Sequence, residues 1–319
     1  MALLALDLNS SYLTIAILGR TGKILSRNTT KFIENTDKDV IDLIKEGIAS
    51  ILDEYDNKVS RIKVLGISIP GIYYPKTGCV WAPNIQGWED FPLKKELIPL
   101  IQKYKLQIKI ASKRTCNILG EQWLGSAKGL KNAIYFSVSK GIGAGILIDG
   151  KILHGYSDGV GSLGWLCLNT AYKESYSERG FFEYHASGSG MINYTRELLS
   201  KRKKHSGYLS KFQPDEIDIN MIFDAYAAND TIAVKVIKHC IDYWGIASAN
   251  LINLFNPEKI IFGGLVFGPG QKYLSDIKEE ASKWAHPQFS RDVDFIVSQL
   301  GNRAALFGAG QLVNKLIKK

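Results

Sequence analysis

The chain has 319 residues, of which 45% are hydrophobic and 22% charged, with a formal charge of +9. These are the proportions of a soluble globular protein of about two domains. No stretch approaches the roughly 20 consecutive apolar residues of a membrane-spanning helix, so that class is excluded.

The apolar N-terminus, MALLALDLNSSYLTIAIL, is broken by Asp7, Asn9, Ser10 and Ser11. It has no basic leader and no small-residue cleavage site, so no signal peptide is expected. Residues 2–8 and 12–18 are predicted strands around an Asn-Ser-Ser turn, and a third strand follows across 23–32. Residues 38–56 carry the apolar period of an amphipathic helix. Residues 61–71 then read as a strand ending in Pro-Gly, and a loop runs to Trp88. A helix over 93–104, a strand over 106–110 and a helix over 114–125 complete the first third. That alternation predicts an α/β fold.

The order then recurs, with strands at 132–139 and 143–153 and a segment through Trp165 repeating the hairpin opening. Helices follow at 190–200, 216–227 and 231–256, and a strand at 259–264. The pattern suggests a duplicated α/β unit with a cleft between the halves. Cys79, Cys116, Cys167 and Cys240 lie far apart with no CxxC pair, as free thiols of a reducing cytoplasm do. The basic run Lys201-Arg202-Lys203-Lys204 with His205 reads as a solvated face, because no DNA-reading motif accompanies it.

Three segments could carry chemistry. Ser137–Gly145 places Gly141, Gly143 and Gly145 between two strands. Glycines there let backbone N–H groups approach a phosphate, but hairpins use glycine without any phosphate. Gly263-Gly264 follows a strand and could hold the face of a nucleotide base or simply reverse the chain. Trp81-Ala-Pro-Asn-Ile-Gln-Gly-Trp88 mixes an amide with aromatic rings, which suits a sugar and equally a packed loop.

In conjunction these motifs are more specific. ALDLNSSYLTIAIL, ISIPGIYYPKTGCVWAPNIQGW, LGEQWLGSAKGLKN, SKGIGAGILIDGKILHG, GSLGW, FFEYHASG, NLFNPEKIIFGG and LGNRAALFGAG occur in that order. Across nearly its whole length the chain resembles the ROK family of sugar kinases and sugar-responsive repressors. The resemblance implies an actin-like, ribonuclease-H-like fold of two α/β domains. One would span residues 1–111 with the C-terminal helix at about 305–319, the other residues 112–304. It also implies hexose and ATP in a cleft, and a homodimer.

The departures from the family pattern matter more than the matches. Where active members carry Asn-Asp, the Asn on sugar and the Asp as base, this chain has Ser112-Lys113. An ammonium has no lone pair with which to take a proton. The Asp-x-Gly-Gly-Thr phosphate motif keeps Asp7 but holds Asn9, Ser10 and Ser11 in place of its glycines and threonine. The second motif, Gly-Thr-Gly, reads Ser139-Lys140-Gly141, with Gly143 retained. Gly-Glu-x-Gly-His reads Gly161-Ser162-Leu163-Gly164-Trp165. The zinc loop aligns with Glu174–Phe181 and has lost its thiolates, so no zinc is expected. His185 stands alone in this reading, as a polar contact rather than a ligand.

Carried over position by position, the resemblance places sugar at Asn84, Ser112, Ser162, Trp165 and Glu183. It places nucleotide at Asp7, Ser11, Lys140, Gly141, Gly143, Gly263 and Gly264. No catalytic residue is assigned, the base position being Lys113. The expectation is a cytoplasmic, sugar-binding sensor or regulator without its own DNA-reading module and with kinase activity lost or impaired. The alternative is an ATP- and Mg-dependent hexose or N-acetylhexosamine kinase that recruits Asp90 or Asp158 as base. In a third reading, Lys113, Lys140 and Trp165 reshape the site for an anionic sugar.

Overall fold

The computed structural model describes residues 2–9, 11–32, 37–55, 62–201 and 206–317; Ser10 and residues 202–205 of the basic run lie outside the described residues. In chain order the first elements are β1 (Ala2–Leu8), β2 (Tyr12–Gly19), β3 (Ile24–Lys31), α1 (Asp37–Tyr55), β4 (Val64–Ile69), β5 (Ile72–Tyr74), β6 (Cys79–Trp81), α2 (Leu93–Glu96), α3 (Ile98–Tyr104), β7 (Gln107–Ser112) and α4 (Lys113–Leu124). There follow β8 (Ala133–Val138), β9 (Ile142–Ile148), β10 (Lys151–Ile152), α5 (Phe181–Ala186), α6 (Gly188–Lys201), α7 (Ile219–Ala227), α8 (Thr231–Phe255), β11 (Lys259–Gly263), α9 (Leu274–Trp284), α10 (Pro287–Ser290), β12 (Asp294–Val297) and α11 (Ala304–Asn314).

The chain forms two units: Met1–Gly129 with Ile152–Val160 and Arg303–Lys319, and Leu130–Lys151 with Gly161–Asn302. The first holds a five-stranded sheet in the order β3-β2-β1-β4-β7. β1 pairs antiparallel with β2 and parallel with β4, which is parallel in turn to β7. Every residue of β1 and β4 is buried, a continuous apolar run rather than an alternating one. Both faces of the sheet are covered, which is why. Val40, Ile44, Ile48 and Ile51 of α1 join one core with Leu4, Leu6 and Leu8.

On the other face α11 crosses α4 at glycines. A Cβ on Gly308 would stand 1.8 Å from the Cys116 carbonyl, and one on Gly120 would stand 2.1 Å from that of Ala304. The sequence reading divides the domains between residues 111 and 112. In the structure β7 runs straight into α4 through Ser112, and both elements pack in the first unit. The helix expected over 93–104 forms as two, because Pro99 stands at the start of α3, where its missing N–H costs nothing.

In the second unit the sheet runs β10-β9-β8-β11-β12. β8 pairs antiparallel with β9 and parallel with β11, and β11 parallel with β12. Order and sense match the first sheet strand for strand, so the internal duplication read from the sequence is present in the topology. α8 runs for 25 residues through this unit's core, and Asp230 caps it by accepting from the N–H of Ile232 at 2.8 Å.

Candidate functional site

In the first unit, Asp7 is the penultimate residue of β1 and faces Ser68 of β4 across the parallel ladder. Asp7 is 5% exposed, and Ser68 Oγ donates to its Oδ1 at 2.8 Å. β7 ends at Ser112, whose side chain caps α4 by accepting from the N–H of Thr115. Ser112 is 1% exposed, so the expected sugar hydroxyl is committed to the start of the helix.

Lys113 is the first residue of α4, and its Nζ reaches back 106 residues to Asp7, at 3.0 Å from Oδ1 and 2.9 Å from Oδ2. The carboxylate and the ammonium neutralise each other there. Asp7 cannot serve a metal or a phosphate-bearing ligand without breaking that pair, and Lys113 has no lone pair to act as base. Cys116, one turn further along α4, is fully buried; burial and the charge of Asp7 push its thiol up, so it is no nucleophile.

The β1–β2 turn is filled in the same way. Asn9 Oδ1 accepts from the N–H groups of Ser11, at 2.8 Å, and Tyr12, at 2.7 Å. This Asx turn occupies donors that a phosphate loop would offer to its ligand. Asn84 lies exposed in the loop between Ala82 and Trp88, beside the stacked rings of Trp88 and Phe91 at 4.5 Å.

The second unit brings its candidate residues together. Ser139 joins β8 to β9: its carbonyl accepts from the N–H of Gly188 at the start of α6, at 2.7 Å, and its Oγ from that of Leu265, at 3.1 Å. Gly264 has φ +91°, and a Cβ there would stand 2.3 Å from the Val138 carbonyl, so only glycine permits this approach. The β8–β9 turn that carries Lys140 and Gly141 is thus tied to Gly264 and the start of α6, while Gly143 and Gly263 flank Ser137 on either side of β8. The N–H groups of Ile142, Gly188 and Leu265 are already bonded to protein acceptors in this cluster.

Glu183 closes the cluster from α5. Its Oε2 accepts from the N–H of Ile142 at 2.7 Å, and Cβ atoms built on Gly141 and Gly164 would both stand within 3 Å of it. Burial pushes its carboxyl up, partly offset by the Ile142 N–H. Ser162 and Trp165 lie on the turn around Gly164, so within this unit Glu183 stands against both that turn and Gly141. Trp165 is 53% exposed.

His185 is not solitary. It lies against His239 of α8, with ring centroids 5.3 Å apart, and accepts or donates at Nε2 to the Tyr176 hydroxyl at 2.8 Å. Phe181, Tyr184, Tyr194 and Tyr243 surround the two imidazoles. His239 Nε2 is buried with no hydrogen-bond partner among the described residues. Burial lowers both histidines to about 4. The segment aligned with the zinc loop is thus filled by Tyr176 and Phe181, and no group of three or more His, Cys, Asp or Glu among the described residues could hold a metal. Sequence reasoning missed this cluster because its members are spread over α5, α6, α8 and the turn at Tyr176 and show no spacing signal.

Residues 3–316 match a family model described as the ROK family. The chain is 30% identical to a glucokinase of Halalkalibacterium halodurans, over 97% of this chain and 94% of that protein. It is 27% identical to a xylose repressor of Caldicellulosiruptor bescii, over 98% of this chain and 78% of that one. Among solved structures, a ROK family transcriptional regulator, a homologue of the E. coli MLC protein, superposes with TM-score 0.86 at 26% identity, covering 98% of this chain and 78% of that one. A ROK family glucokinase from Streptomyces griseus, in complex with glucose and AMPPNP, gives TM-score 0.79 at 22% identity, covering 98% and 99%. The fold is the actin-like α/β fold of these sugar kinases. No helix among the described residues is long and apolar enough to cross a membrane.

Proposed function

Because the chain belongs to the ROK family, whose members similar to it include both glucokinases and xylose repressors, we propose that it is a sugar-binding sensor or regulator in which phosphoryl transfer is lost or strongly impaired. The observation that carries the reading is the ion pair between Lys113 and Asp7. A hexose hydroxyl needs a base within about 3 Å that can take its proton, and a paired ammonium cannot.

The other acids considered as base do not replace it. Asp158 is held by His154 at 2.8 Å, and Asp90 sits exposed in a loop. The Asn9 cap on the β1–β2 turn supports the same reading, since those N–H groups no longer face a ligand phosphate. Glu183, Trp165 and Asn84 remain the sugar-facing residues of this proposal, the cytoplasm its compartment and a homodimer its assembly.

The test is a thermal-shift panel with glucose, N-acetylglucosamine, xylose and their 6- or 5-phosphates. A sugar at 100-fold its Kd adds about 2.7 kcal/mol to the stability of the unit that binds it, which raises Tm by several degrees. We expect at least one sugar to do so without ATP. If none does at 50 mM (roughly the upper end of sensor affinities), the binding reading fails.

A further inference from the structure

Residues 154–160 depart from the second unit's sequence neighbourhood and pack in the first unit, where two side chains tie them down. Arg114, next to Lys113 on α4, donates from Nη2 to the Asp158 carbonyl at 2.8 Å. Asp158 Oδ1 meets His154 Nδ1 at 2.8 Å. The Val160 N–H, at 3.4 Å from the His154 carbonyl, closes the loop on itself.

The loop's backbone does not favour this shape unaided. Gly155 has φ +71° and Asp158 φ +56°; the second is a left-handed conformation uncommon for a non-glycine residue, though aspartate adopts it more readily than most. The side-chain ties therefore hold the loop. Tyr156 at its tip is 99% exposed, with Lys76 Nζ 5.6 Å from its ring.

We propose that 154–160 is a proton-dependent latch: Arg114 and His154 together clamp Asp158, and the loop loosens when His154 loses its proton. The charged and titratable groups that face it are few. On the loop these are His154, Tyr156 and Asp158; from α4 they are Arg114 and Cys116, whose thiol feels Asp158 together with the Lys113–Asp7 pair; from the β5–β6 turn it is Lys76.

The bond to Asp158 raises the His154 pKa above the ordinary histidine value. The sign follows: the clamp is complete below the ordinary histidine pKa and is lost as pH rises through the raised one. Arg114 stays charged throughout, so the loop opens more often at high pH but is not released. The chain continues from Val160 into the Ser162–Trp165 turn, so the latch acts directly upstream of residues assigned to the ligand. His154 and Arg114 are positioning residues here.

The test needs no ligand. Chymotrypsin cuts after exposed tyrosine, and a nick after Tyr156, identified by fragment mass, reports loop opening. Its rate, divided at each pH by the rate on a small peptide substrate, should rise about threefold or more between pH 5.5 and pH 8.5. His154→Gln should be cut fast at both pH values with no such rise. Asp158→Asn tolerates the same backbone and should behave like His154→Gln. NMR titration of the full chain should place His154 above an ordinary histidine, and back at the ordinary value in Asp158→Asn. A normalised rate in the wild type that does not change with pH, or a His154 that titrates as a free histidine does, overturns the latch.

Discussion

Lys113→Ala should destabilise the first unit by about 2–4 kcal/mol, measured by urea unfolding at pH 7. Asp7 is 5% exposed and, among the described residues, would keep only the Ser68 hydroxyl as a side-chain partner. Breaking a buried ion pair from one side costs about 3–5 kcal/mol, and the 30% exposure of the lysine side chain reduces that figure. The cost comes from the stranded carboxylate, not from lost attraction alone. The double variant Asp7→Asn, Lys113→Met should therefore lie closer to wild type than Lys113→Ala does, a non-additivity that a double-mutant cycle reads directly.

Rebuilding the family's motif also strands charge beside Asp7. Ser112→Asn with Lys113→Asp sets a second carboxylate beside Asp7 where the ammonium stood, while an asparagine at the cap of α4 can still accept from the Thr115 N–H. We expect a lower melting temperature and no sugar-dependent ATP turnover. Efficient turnover in that variant would locate the whole lesion at the base.

Acid should weaken the second unit ahead of ordinary acid denaturation. His185 and His239 are held at about 4 in the fold, against about 6.5 in an unfolded chain. Between those values the unfolded state binds more protons, so stability is full above pH 6.5 and falls as pH drops toward 4. A shift of that size corresponds to about 3 kcal/mol per group. Each imidazole is partly exposed, and solvent screening brings this to about 1–2 kcal/mol each. The two rings also oppose each other's charge, so the second proton enters harder than the first. Urea unfolding at pH 7.0, 5.5 and 4.5 reads the slope. His239→Leu should flatten it by roughly half, whereas an unchanged slope would assign the acid sensitivity to other groups.

Much of the fold was legible because it rests on local signals. The buried runs of β1 and β4, the period of α1 and the repeated hairpin opening all mark their elements in sequence. The split of 93–104 at Pro99 was readable from proline chemistry. By contrast β12, with one exposed and three half-buried residues, has no alternation to betray it.

At the site, sequence reading located the Ser112-Lys113 anomaly but not its partner. Nothing in spacing says that Nζ of residue 113 meets residue 7; the register of β1, β4 and β7 brings the two strand ends together. Asn9 was read as a lost glycine, while its side chain actively replaces a ligand by capping the turn. Gly188 was missed because its contact is made through a backbone group, which carries no residue-type signature; Ser139 was read only as a departure from the family motif, not as the acceptor for the Gly188 and Leu265 N–H groups.

The central claim is that Lys113 locked onto Asp7 leaves a sugar scaffold without phosphoryl transfer. A coupled ADP-release assay with ATP and Mg, run across glucose, mannose, N-acetylglucosamine, N-acetylmannosamine and xylose, tests it most directly. The account predicts a rate no different with and without each sugar, even for a sugar that raises Tm. ADP release that depends on both sugar and ATP, at a rate typical of an enzyme (about 1 per second or faster), would contradict it.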